Sequence, residues 1–171
     1  MTAATATLRF RFAMGFFILG LLISGITAFP LLTELNLLAK VLGLGDALST
    51  DGHGGLAFWI LTVKFGLADM YARYPWIAYG TDWLAFGHIA IALFFIDPMI
   101  RPAQSRPALH AGMAACLLVV PLALVCGPIR GIPFAWRLID SAFGVIGIIP
   151  LLYCHGLLRH ITPAPAEMTA T

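Results

Sequence analysis

Ionisable side chains lodged in otherwise apolar stretches mark the places where this chain could do chemistry, and they form two sets. The first is Asp82, His88, Arg137 and Asp140; the second is His110 and His155. Carboxylates and a guanidinium gathered at one depth can hold an ion, a lipid head group or a small anion, and an ionisable group within a membrane is a functional candidate by default. Two histidines at matching depth on different helices read first as interfacial residues contacting lipid phosphate or helix ends; alternatively they could ligate a b-type haem, or lie beside a quinone. Neither a phosphate cradle (GxGxxG or P-loop) nor a hydrolase or zinc signature (GxSxG, HExxH) is present. No catalytic residue and no metal centre is therefore expected, and haem b is the one alternative cofactor. Cys116, Cys126 and Cys154 lie in apolar runs without CxxC spacing. That pattern opposes a disulfide framework, a metal cluster and paired-thiol redox chemistry.

The elements that must carry these residues follow from composition. The 171 residues are 60% hydrophobic and 11% charged, whereas soluble domains carry about a quarter charged residues. A helix needs about 20 apolar residues to cross a bilayer, and four blocks meet that length: about 12–30, 77–100, 109–127 and 134–158. The expected fold is all-α, a single polytopic membrane domain over 1–171 with four transmembrane helices. The first block follows Arg9 and Arg11 but runs on past "ITAFP" without a clean cleavage site, so it reads as an uncleaved span. A net charge of +2 is too weak and scattered for nucleic acid.

Between the first two blocks, residues 31–76 read as amphipathic helices capping the extracytoplasmic side, either as a packed cap or as a lid. Leu31, Leu35, Leu38 and Leu42 share one helical face; Leu56, Ile60, Val63, Leu67, Met70 and Tyr74 share another. Trp59, Tyr71, Tyr74, Trp76 and Tyr79 suit an interfacial belt. "LSTDGHGG" separates the two helices, with His53 in the break. The tail 162–171 reads as a disordered end. Orientation comes from the density of basic residues: Arg9, Arg11, Arg101, Arg106 and Arg159 lie on short connections, which places both termini in the cytoplasm.

Depth then locates the polar residues. Eighteen residues separate Asp140 from Arg159, and eighteen separate Asp82 from Arg101, which is roughly 27 Å of helix. Asp82 and Asp140 thus fall at the outer boundary, where Arg137 could pair with Asp140 at i, i+3 and bridge to Asp82. Asp97 precedes Arg101 by one helical turn and reads as its local partner. His88 lies roughly 9 Å below Asp82. It is either functional or a donor to the Ile146 carbonyl freed by Pro150, with Gly144 and Gly147 allowing the two helices to approach. His110 is four residues past Arg106 and His155 four before Arg159, so both lie about one turn inside the inner boundary.

The blocks "YGTDWLAFGHIAIALFF" and "GPIRGIPFAWRLIDSAFGVIGIIPLL" resemble those of a group of uncharacterised bacterial four-span inner-membrane proteins. The resemblance covers about residues 70 to 155 and implies a bacterial inner-membrane location, with no activity or cofactor attached. The expected function is a non-enzymatic membrane subunit or a small-ligand or lipid-binding protein. The alternative is a redox membrane protein holding haem b or a quinone. A transporter-like role is third, and four spans would require oligomerisation to enclose a path; Pro121 and Pro150 interrupt spans three and four, without an internal repeat. Expected partners are the lipid bilayer, further copies of the chain or other membrane subunits, without nucleic acid.

Overall fold

A computed structural model describes residues 1–161, so the expected disordered tail lies outside the described residues. Among them the chain is helical without strands: α1 Ala3–Ala28, α2 Leu31–Val41, α3 Gly55–Arg73, α4 Ala78–Phe94, α5 Ile96–Ile100, α6 Arg106–Ile129 and α7 Phe134–Ile161. Single 3-10 turns at Pro75–Ile77 and Pro102–Gln104 precede α4 and α6. The second expected block is split at Phe95, where Pro98 cannot donate to the carbonyl four residues earlier.

Five stretches are long and apolar enough to cross a membrane: α1, α3, Pro75–Ile100, α6 and α7. Four spans were expected from the sequence, with α3 interfacial; α3 is the least apolar of the five. Outward-facing side chains are as apolar as inward ones. On α1, Ala6, Phe10, Met14 and Ile18 are buried at one-turn spacing while Leu8, Phe12, Phe16 and Ile23 are exposed. A helix apolar all round belongs in a protein core or in lipid, and here most of its surface is uncovered.

The chain divides into two compact units, residues 21–90 and residues 1–20 with 91 onward. In the second of these, α6 and α7 form an antiparallel hairpin. Its turn is fixed by a Schellman motif: Gly131 has φ +71°, Ile132 N–H donates to Gly127 O at 2.9 Å, and Gly131 N–H donates to Pro128 O at 3.0 Å. Only glycine takes that left-handed turn without strain, and Pro133 then leads into α7. Small residues let the helices touch. A Cβ at Gly144 would collide with the Cys116 carbonyl, and one at Gly112 would meet the Phe95 ring at 2.7 Å and Leu151 at 3.0 Å. Gly144 and Gly147 thus serve contact with Cys116 and Val119 of α6. α1 joins this unit through Cys154, whose Sγ donates to Phe10 O at 3.6 Å, and through the edge-on Phe17–Phe95 pair at 4.9 Å.

In the other unit, α2 ends in the same motif, with Gly43 at φ +73° and Leu44 N–H donating to Ala39 O at 2.7 Å. Its buried positions are Leu35 and Ala39, while Leu38 and Leu42 of the expected stripe are exposed. On α3 the deepest residues are Ile60 and Leu61. Gly25 of α1 lies against α4, where an added Cβ would sit 2.8 Å from Ala85 O and 3.1 Å from His88 Cβ.

Candidate functional site

The hairpin that sets α6 against α7 also decides what meets at its open end. α6 begins after buried Ser105, whose Oγ donates to Pro102 O at 2.7 Å and whose carbonyl accepts from Leu109 N–H at 2.9 Å. Leu109 is buried, which turns the next residue, His110, outward. On α7 the buried residues Leu151, Cys154, Leu157 and Leu158 leave His155 on the exposed side. Gly112 admits Leu151 just above this level, so the two helices are close where the histidines emerge.

The result is direct contact. His110 Nε2 and His155 Nε2 are 3.3 Å apart, with ring centroids 5.2 Å apart and planes tilted by 40°. One Nε2–H donates to the other Nε2, so the pair is satisfied as two neutral rings of opposite tautomer. If both rings carry their proton on Nδ1, two lone pairs converge instead. That is a two-nitrogen ligand. Among the described residues no third His, Cys, Asp or Glu joins them. The nearby His160 accepts from Arg159 Nε at 3.3 Å.

The spacing separates two kinds of ligand. Axial ligands of a haem face each other through the iron, about 4.1 Å apart for bonds of about 2.0–2.1 Å. Two nitrogens bound side by side on a tetrahedral ion at that bond length are about 3.3–3.4 Å apart. The observed separation is the second.

In the other set, the expected pairing of Arg137 with Asp140 is absent among the described residues. Among the described residues the ion pairs are Arg73–Asp69 and Arg101–Asp97; Arg137 and Asp140 form none. The reason is packing. The Arg137 stem lies along Gly127 of α6, where a Cβ would overlap its Cγ and Cδ, and its guanidinium sits 5.2 Å over the Phe134 ring. Its Nε is buried without a partner, while its carbonyl accepts from Ser141 Oγ at 2.8 Å. Asp140 is half-buried nearby in sequence, and Asp82 belongs to the other unit, half-buried on α4.

His88 also differs from expectation. Its Nδ1–H donates to Leu84 O of its own helix at 2.9 Å, not to Ile146, because the carbonyl one turn back is within reach of its own ring. The Asp97 expectation is met: Arg101 Nε donates to Asp97 Oδ1 at 2.7 Å. The niche at Gly127 escaped the sequence reading. Its only local sign was a glycine in the last turn of an apolar helix.

Arg137 yields a specific test. Arg137→Met keeps the stem on Gly127 and removes the unpartnered Nε, so stability in detergent should change by less than about 1 kcal/mol, as volume-conserving replacements do. Arg137→Ala should cost about 2 kcal/mol through lost packing. Asp140→Asn should add to it with coupling below about 0.5 kcal/mol. A larger coupling in thermal melts would restore the ion pair.

No protein-family model, curated protein or solved structure matches this chain.

Proposed function

We propose that this chain is a multi-pass protein of a bacterial inner membrane, a non-enzymatic subunit that binds a small ligand at the histidine end of the α6–α7 hairpin. The observation that carries the reading is the 3.3 Å contact between His110 and His155. Two exposed, polar, proton-sharing rings on the rims of apolar helices offer ligand atoms that packing does not require. Of the hydroxyls and thiols packed in this unit, Ser105, Ser141 and Cys154 donate to carbonyls.

The reading includes four spans, with α2 and α3 on the outer side and the segments before α1 and after α7 in the cytoplasm. Lys64 stands at the midpoint of α3, where a charge in the bilayer centre costs about 2.5–3.5 kcal/mol. Surface-lying helices avoid that cost. Reporter fusions test this directly. Fusions after Arg106 and after Ile161 should report cytoplasm, and a fusion at Gly52 the outside. If α3 also crosses, the fusions after Arg106 and Ile161 both move outside.

A second reading, haem ligation, is favoured by the same contact between the two histidines. It requires them to separate by roughly 0.8 Å and a macrocycle to enter between them. The purified protein is expected to show no Soret band; a band lost in both His110→Ala and His155→Ala would establish haem instead.

A further inference from the structure

We infer that His110 and His155 together bind a divalent transition-metal ion of tetrahedral preference, zinc first, through their two Nε2 atoms. This rests on the reading of the histidine pair as the ligand site and adds the chemistry of the ligand. Three observations converge. The Nε2 atoms are 3.3 Å apart, about the separation of neighbouring ligands on a tetrahedral ion. Both rings are exposed, so an ion reaches them without opening the core. The donor set is imidazole with arginines one turn away at Arg106 and Arg159, and no described carboxylate joins it to form a cluster.

That donor set selects the ion. Calcium and magnesium take oxygen ligands and gain nothing from two imidazoles beside arginines. Zinc, copper and nickel favour imidazole nitrogen. Binding moves one proton from Nε2 to Nδ1 of the ring that donates in the ion-free pair, so both Nε2 lone pairs face the metal. No proton is lost when both rings start neutral. Two of four tetrahedral positions stay open to water, which makes the ion exchangeable rather than structural.

The test is equilibrium dialysis of the full chain in detergent against zinc, with the visible spectrum recorded on the same samples. One zinc per chain is expected. His110→Gln and His155→Gln should each weaken it by more than about tenfold, the least that even outer-shell changes cost at metal sites. His53→Gln, in the loop before α3, should leave it unchanged. Both substituted rings are exposed, and helix content by circular dichroism confirms that each variant folds. Zinc binding that survives both substitutions overturns the inference. No zinc, with a Soret band that both variants lose, overturns the metal and leaves the pair as a ligand site. Neither signal overturns the metal and the ligand site together.

Discussion

Gly144→Val should lower the melting temperature in detergent by about 6–12 °C, the shift expected for about 3 kcal/mol in a chain of this size. The added Cβ would land on the Cys116 carbonyl and lie 3.3 Å from Val119 Cβ. A carbonyl within a continuous helix cannot rotate away as a side chain can, so α6 and α7 must separate. Overpacking in a tight core costs about 1–3 kcal/mol for a small addition, and the branched Cγ atoms of valine place this variant at the upper end. Nearby glycines provide the contrast. A Cβ at Gly147 meets Cys116 Sγ at 3.3 Å and Phe17 Cε2 at 3.6 Å, side-chain atoms that can give, so Gly147→Ala should cost less than about 1 kcal/mol. A Cβ at Gly156 meets nothing within 4 Å, and Gly156→Ala should stabilise α7 by up to about 1 kcal/mol through helix propensity. A Gly144→Val protein that melts like the wild type would mean that α6 and α7 do not pack through this face.

Gly25→Val should be the second large loss, about 2–3 kcal/mol, through α1 and α4. Here the added Cβ would sit 2.8 Å from Ala85 O, 3.0 Å from Ile89 Cγ1 and 3.1 Å from His88 Cβ. Again a backbone oxygen is the closest atom, and two side-chain stems crowd the same point. His88→Ala gives the comparison. It removes one hydrogen bond to Leu84 within the same helix, worth about 1 kcal/mol or less, and leaves in place the Cβ that faces Gly25. Thermal melts that rank His88→Ala below Gly25→Val would contradict this packing. They would make His88 a key polar contact.

What was readable in the residues and what was not divides along the reach of each interaction. Helical blocks and their ends follow from local apolar runs, glycines and prolines, so α1, α6 and α7 are legible directly. The Asp97–Arg101 pair is likewise a one-turn relation on one helix. Equal depth could place His110 and His155 level with one another, because each lies one turn from a boundary arginine; their contact needed α6 and α7 to be neighbours. The Arg137 position was illegible for the same reason. Depth and i, i+3 spacing pointed to Asp140, but Gly127 lies on another helix, and packing into its niche outweighed a half-exposed ion pair worth about 0–1 kcal/mol. His88 shows the opposite error. Of its two readings, a functional group or a donor to distant Ile146, the second overlooked the carbonyl one turn back on its own helix. α3 was set apart by its charged residues, although its length and composition equal those of a span.

The most direct measurement of the central claim is electron paramagnetic resonance of the purified protein loaded with one equivalent of copper(II). If His110 and His155 present their Nε2 atoms side by side, the spectrum should carry couplings from two imidazole nitrogens. His155→Gln should reduce that pattern to one nitrogen at most. A wild-type spectrum without imidazole coupling, or one unchanged in His155→Gln, would contradict the account.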